Sequence, residues 1–310
     1  MYQSFKDPIT GEWILTNPEN GDIHRVKFGA KEKIKKGGIP DLVDIKITEK
    51  CDFGCRFCYT SSVKEGKECS VYDRSSVLRF YDLMQLLTDV GVYSIVLGGG
   101  EPTQHSDISS ILYSARSFQT SITTRNYDMV NVKSTQAISG VDSIAYSCNS
   151  VSDVEKAVEG YEKHFLRNRR RPELYIQNII GLSTEDQFYS FLQKCKDLKV
   201  KNITMLGFKT FGFGKDYQPK GNWSDKWLDM VKDSGMNIGM DSLAVKQWKE
   251  QLIQKGVEER FLMASEGAFS CYVDAVKGTM SPSSFCDESL TVPLTSKTTK
   301  EQFLERFAKF

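Results

Sequence analysis

The sequence has no apolar run long enough to span a bilayer and no secretory signal at its N-terminus, so neither a membrane-embedded nor an exported protein is expected. It has no surplus of charge. Its 41 Lys and Arg against 40 Asp and Glu leave a formal charge of +1, so no global positive field points to nucleic acid. It also has no internal repeat and no low-complexity tract. A disulfide framework is missing too: of eight cysteines, at 51, 55, 58, 69, 148, 195, 271 and 286, three are clustered and the rest scattered. In a chain of 310 residues without an export signal, that pattern favours metal ligation in a reduced cytoplasm. What remains, with 26% charged residues, reads as a soluble globular protein large enough for one α/β barrel or two smaller domains.

Residues 1–40 form a prelude. DPITGEW and NPENGD are turn signals flanking Trp13-Ile14-Leu15 and a stretch where Val26 and Phe28 alternate with charges, which predicts a β-hairpin. A basic connector, Lys31 to Lys36, follows. From Leu42 onward strand patterns (42–48, 92–97, 119–124, 141–147, 174–180, 202–206, 236–240) alternate with helical ones (75–89, 106–117, 152–167, 184–198, 224–233, 243–255). Repeated βα units predict a parallel sheet with helices outside, and about six of them predict an open, partial (β/α)6 TIM-like barrel over 41–256. In the first strand, Val43, Ile45 and Ile47 alternate with Asp44, Lys46 and Thr48, so Asp44 and Lys46 are expected to point into a polar lumen. Residues 257–310 form a C-terminal extension, ending in a helix whose Phe303, Leu304 and Phe307 share one face.

The chemistry-bearing stretch is Cys51-x-x-x-Cys55-x-x-Cys58, directly after that first strand, where α/β barrels place their active sites. Thiolates suit zinc and iron–sulfur clusters, and three of them leave one metal position without a protein ligand, the mark of a catalytic site. A zinc knuckle is the structural alternative; it needs a fourth ligand such as Cys69 or His105, neither at finger spacing. One βα unit later stands Gly98-Gly99-Gly100-Glu101-Pro102, where glycines permit close backbone approach and a carboxylate can accept from an ammonium group.

These two motifs in this order, with Phe57 before the third cysteine, resemble the radical S-adenosylmethionine (radical SAM) enzyme superfamily over roughly residues 40–240. The resemblance implies one [4Fe–4S] cluster on Cys51, Cys55 and Cys58 and S-adenosylmethionine (SAM) chelated at the fourth iron. Gly99, Gly100, Glu101 and Pro102 would serve its amino group, Phe57 would lie near the adenine, and Thr124 and Ser147 would stand at later strand ends. It further implies reductive cleavage to a 5′-deoxyadenosyl radical, an electron donor such as flavodoxin or ferredoxin, and a peptide, protein or small-molecule substrate. No residue is assigned to the substrate reaction; Cys148, Lys46 and Lys209 are its candidates. The segment FSCYVDAVKGTMSPSSFC resembles the SPASM or twitch hairpin of peptide-modifying relatives, but the Pro-Cys pair there reads Pro282-Ser283. A cluster-free hairpin capping the barrel is therefore expected, with Cys271 and Cys286 too few to hold a second cluster alone. GFKTFGFGK, with Lys209, Phe211 and Phe213, is a candidate wall for adenosine or substrate, and one of Gln177 and Asn178 should face the lumen. The basic run Lys163 to Arg171 motivates an RNA or nucleoside substrate as an alternative, and a non-enzymatic zinc or Fe–S module is the alternative of another class.

Overall fold

The computed structural model describes residues 2–18, 22–26, 38–129, 138–166, 171–221, 223–262 and 264–310. The basic connector 31–36, Phe28, and Arg167, Arg169 and Arg170 lie outside the described residues.

The chain opens with three short strands, β1 (Gln3–Lys6), β2 (Trp13–Thr16) and β3 (Ile23–Val26), paired antiparallel in that order. The expected hairpin is β2–β3, with Trp13 opposite Val26; β1 adds a third strand through the turn at Asp7–Glu12, where Gly11 takes φ +73°.

The main sheet contains β4 (Leu42–Thr48), β5 (Ser94–Gly99), β6 (Gln119–Thr124), β7 (Ser143–Ser147), β8 (Glu173–Ile179), β9 (Asn202–Leu206) and β10 (Asn237–Met240), each parallel to the next. Between them run α1 (Phe80–Val90), α2 (Ile108–Ala115), α3 (Val151–Phe165), α4 (Glu185–Asp197) and α5 (Lys226–Asp233), and α6 (Ser242–Gln254) follows β10. Neighbouring helices pack side by side: α1 on α2, α3 on α4, α4 on α5. The local reasons are legible. Thr184 and Gln187 form a reciprocal capping box at the start of α4, whose Phe188, Phe191, Leu192 and Cys195 are buried. Helix α1 starts at Phe80 and not at residue 75, because Phe80 N–H donates to Ser70 O (2.8 Å) and Asp73 caps Ser75, committing 73–78 to a loop. Among the described residues no helix is long and apolar enough to cross a membrane.

The C-terminal extension departs from the cap that was expected. Its first strand, β11 (Ser270–Asp274), pairs parallel with β4, placing Cys271 beside Val43 and Asp274 beside Lys46. Only then does the chain turn back through β12 (Thr279–Ser281) and the short β13 (Val292–Pro293), both antiparallel. The sheet order is β10-β9-β8-β7-β6-β5-β4-β11-β12-β13, so the hairpin extends the barrel wall. The physical reason is the open edge of β4, whose backbone groups need partners. The terminal helix α7 (Lys300–Phe307), itself capped by Thr299 and Gln302, buries Phe303 and Phe307 and packs on α1.

The N-terminal sheet is fastened beneath the barrel by one cation. The Arg25 guanidinium donates to Asp7 (2.8 Å), to both oxygens of Asp41 just before β4 (2.8–3.1 Å) and to Ile39 O (2.9 Å), and it lies over the Phe269 ring. Its side chain is 4% exposed. Replacing it by alanine strands the buried carboxylate of Asp7 and the half-buried one of Asp41, and Arg25→Ala is expected to cost about 3–5 kcal/mol, read by urea denaturation. Arg25→Lys should recover only part of this, since a point charge cannot reproduce the forked geometry. A cost below about 1 kcal/mol would remove Arg25 as the fastening.

Candidate functional site

Along the parallel strands, alternate residues such as Val43, Ile45, Leu97, Ile122, Ile144 and Ile203 are buried under the helices. Their neighbours face the other side in register: Asp44, Val96, Ser121, Ser143 and Glu173 form one layer across β4 to β8, with Tyr272 beside Asp44. These side chains are half-buried or exposed, which marks a hollow, polar lumen. Lys46 is buried in its wall, bonded to Glu49 (2.7 Å) and to Asp274 of β11 (3.0 Å). It therefore ties the extension to the first strand.

The cysteine loop leaves the C-terminal end of β4. Its base is clamped by a returning segment: Cys51 N–H donates to Val63 O (2.9 Å), Glu49 N–H to Lys67 O (2.7 Å) and Val63 N–H to Glu49 O (3.2 Å). The tip turns through Gly54 (φ +60°) and closes with Cys58 N–H on Cys55 O (3.1 Å). The three thiols are free and half-buried. Burial, with the charges of Glu101, Cys55 and Cys58, pushes the bare Cys51 thiol up to about 11. Arg125 donates to the Cys55 sulfur at 2.8 Å, and the Cys58 sulfur meets the Thr60 hydroxyl at 3.2 Å. Cys69 and His105 face each other in the interior at 3.6 Å, away from ligand duty. Among the described residues no three His, Cys, Asp or Glu side chains gather closely enough for a single metal ion. A cluster of four irons takes each thiolate at a separate corner and not around one ion, and none of this loop's three thiols is spent in a disulfide.

The glycine run divides by role. Gly100 N–H donates to Thr48 O (2.7 Å) and Glu101 N–H to Lys50 O (2.8 Å), so the end of β5 lies against the backbone that feeds Cys51. A Cβ on Gly99, which holds φ +125°, would stand 2.3 Å from Thr48 O, and one on Gly100 would stand 2.3 Å from Lys50 O. Only at Gly98 would a Cβ meet nothing within 4 Å. The open face of the run is therefore Gly98.

Glu101 turns inward and is 1% exposed. It accepts from Thr103 N–H and Oγ1 (3.1 and 2.7 Å), Thr124 Oγ1 (2.6 Å) and Arg125 N–H (2.9 Å), latching the end of β5 to that of β6. Burial nonetheless pushes its carboxyl above the usual range. Thr124 is likewise buried, whereas its neighbour Thr123 takes the lumen side; Pro102 is buried and starts a 3-10 turn. Ser147 stands half-buried in register with Gln177, and Asn178 takes the core side with its amide on Cys148 O. Cys148 is fully buried and burial pushes its thiol far up, so it is not presented to the lumen. Cys271 is buried on the core face of β11, while Cys286 is half-exposed on the loop beyond β12.

The loop after β9 docks on the cysteine loop. Phe213 N–H donates to Cys58 O (2.9 Å), and Gly212 (φ +53°) lies where a Cβ would meet Tyr59 O at 2.4 Å. Phe57 packs edge-on against Tyr217, with ring centres 5.8 Å apart. Lys209 sits over the rings of Tyr59 (4.4 Å) and Phe285 (4.7 Å) with Asp241 at 4.0 Å, and Phe285 also meets Phe211. The extension thereby supplies one side of the lumen mouth. Tyr59, Asp241, Glu266, Tyr272 and Phe285 are not singled out by the sequence, although Tyr272 and Phe285 lie within the hairpin-like segment; the fold brings them to the lumen and its mouth.

Asp44 is the most telling lumen group. Water reaches it from the open lumen, yet the surrounding barrel wall desolvates it, and this desolvation, with Glu266 and Asp241 adding to it and Lys209 opposing, raises its carboxyl from 3.8 to about 6. The native state then holds this proton more tightly than the unfolded chain, so its contribution to stability is present below about pH 4 and lost as pH rises through about 6. Asp44→Asn should be more stable than the parent at pH 7–8 by about 1 kcal/mol, a value reduced for the open, water-facing side, with the difference vanishing below pH 4. Urea midpoints across pH 4–8 test this; parallel curves would sink it.

The architecture is an open α/β barrel of the partial-barrel class, with three free thiols at the C-terminal mouth of its first strand, where such barrels place their active sites. The family model of the radical SAM superfamily matches residues 45–214, and the chain belongs to that superfamily. Its cofactors are a [4Fe–4S] cluster and S-adenosylmethionine. A probable GTP 3′,8-cyclase of Sulfolobus acidocaldarius is 23% identical over 192 residues, 57% of this chain and 59% of that one. The GTP 3′,8-cyclase of Limosilactobacillus fermentum is 24% identical over 225 residues, 65% and 63% of the two chains. The chain thus spans less than two thirds of the length of either relative. Streptococcus suis SuiB bound to precursor peptide SuiA superposes with a TM-score of 0.69 at 12% identity, over 99% of this chain and 88% of that one. SuiB bound to S-adenosylmethionine gives 0.57 at 14% identity, over 80% and 61%. These likenesses are of fold.

Proposed function

We propose that the chain is a radical SAM enzyme that removes a hydrogen atom from a neutral or cationic substrate, a peptide side chain or a small amine, held in the polar lumen. Cys51, Cys55 and Cys58 hold the cluster. Gly98 leaves room for the cofactor, Phe57 and Tyr217 lie beside its adenine, and Ser147 and Gln177 bound it from β7 and β8. When bound, the cluster would supply the electron for reductive cleavage of S-adenosylmethionine, the chemistry from which hydrogen abstraction follows. The protein's part is to fix this geometry and keep competing reactants out.

The observation that carries the substrate class is the charge of the lumen. Asp44 stands there with Asp241 and Glu266 close enough to act on its carboxyl; of the ammonium groups around these three carboxylates Lys209 lies 4.0 Å from Asp241 and Lys246 acts on Glu266, while Lys46 in the wall is already paired to Glu49 and Asp274. A nucleoside triphosphate, the substrate in the names of the curated relatives, would bring its phosphates into this acidic space and be repelled. The RNA reading rested on the run 163–171, of which Arg171 is engaged by Glu162 and His164 by Asp128 O. A peptide is also in keeping with the whole-chain likeness to SuiB, solved with a precursor peptide.

Anaerobic reconstitution with iron and sulfide counting tests the cluster, and 5′-deoxyadenosine formation after reduction tests the chemistry. About four irons per chain are expected. Zinc with no iron would show a binding module instead. GTP at about 1 mM should leave 5′-deoxyadenosine at its unstimulated rate; stimulation by GTP would overturn the substrate class.

A further inference from the structure

Arg125 directly follows the end of β6. Its backbone N–H is held by Glu101 (2.9 Å), while its Nη1 donates to the Cys55 sulfur at 2.8 Å and its Nη2 lies 3.7 Å from Asp153. The Tyr127 hydroxyl lies near the guanidinium and donates to Ser147 O (2.7 Å). Asp153 is fixed at the start of α3, where it accepts from Asn149 N–H (3.0 Å). The guanidinium is thus held between Cys55 and Asp153, and one sulfur of the three carries a cation while the Cys58 sulfur carries only a neutral hydroxyl.

We propose that Arg125 is a positioning residue that sets the reduction potential of the cluster, through its charge-assisted hydrogen bond to the Cys55 sulfur. This rests on the reading that Cys51, Cys55 and Cys58 hold that cluster. Reduction adds one electron from an external reductant and no proton, so the cluster and its thiolates become more negative by one charge. A cation at hydrogen-bond distance from a ligand sulfur stabilises the more negative state more than the less negative one, and so raises the potential. Asp153, as the second anion on the same guanidinium, tempers the effect.

The test is a dithionite titration of the reconstituted protein followed by electron paramagnetic resonance, without S-adenosylmethionine, so that cofactor binding plays no part. At a fixed poise, Arg125→Gln is expected to lower the reduced-to-oxidised ratio about tenfold, a shift of ~59 mV for one electron. Arg125→Lys should fall between, and Asp153→Asn should shift the ratio the other way. An Arg125→Gln protein with about four irons and the parent midpoint overturns the proposal. If that variant fails to load iron, Arg125→Lys and Asp153→Asn decide, and unmoved midpoints in both overturn it equally. A parent protein that loads zinc and no iron overturns the site assignment, and this inference with it.

Discussion

Alanine at any one of Cys51, Cys55 or Cys58 is expected to bring 5′-deoxyadenosine formation down to background and the iron content from about four per chain towards none. Losing an outer hydrogen-bond partner of a metal ligand costs roughly 10- to 100-fold, and losing one of only three ligands must exceed that. The fold should survive, because the loop is shaped by backbone bonds: Cys51 N–H to Val63 O, Cys58 N–H to Cys55 O, and Phe213 N–H to Cys58 O. None of them uses a thiol. Circular dichroism should therefore be unchanged while iron is lost, which separates a ligand defect from unfolding. Cys69→Ala is the internal control, since its thiol faces His105 in the core and full iron loading should persist. Iron retained by a Cys55→Ala protein at the parent level would remove the cysteine loop from the site.

Much of this arrangement is legible in the residue order because it is local. Strand β4 covers 42–48 as its alternation predicts, and Thr184 caps α4 where the pattern places it. What escapes the sequence is pairing over distance. Asp274 reaches Lys46 across 228 positions, and nothing within SCYVD announces that this strand joins the edge of β4. The hairpin therefore reads as a cap when it is part of the wall. Arg25 is one of the charges that alternate with Val26 and Phe28, and its burial follows from Asp7 and Asp41, each distant in sequence. The carboxylate beside the glycines reads as a ligand group, but Thr103, Thr124 and the Arg125 amide turn it inward. Charge and hydrogen bonding decide where such side chains point, and both depend on neighbours that only the fold supplies.

The glycines give the sharpest test of that distinction, because adjacent positions should fail in opposite ways. Gly99→Ala forces an L side chain into φ +125°, and its methyl would meet Thr48 O at 2.3 Å, a backbone atom that cannot swing aside. Strain at such a φ alone is worth about 1–3 kcal/mol, and the collision adds to it, so a loss of more than about 3 kcal/mol is expected in urea denaturation. The same displacement pulls Thr48 away from Gly100 N–H and disturbs the segment entering Cys51, so iron loading should fall with stability. Gly98→Ala has no positive φ to strain and no atom within 4 Å of its new methyl, so stability should stay within about 0.5 kcal/mol. That methyl instead occupies open space on the lumen side, where the cofactor is proposed to lie. Equilibrium binding of S-adenosylmethionine should weaken while iron content stays at the parent level. If Gly98→Ala binds the cofactor like the parent, the lumen face of β5 is not its seat; if Gly99→Ala folds like the parent, the close approach of β5 to Thr48 is not what fixes the cysteine loop.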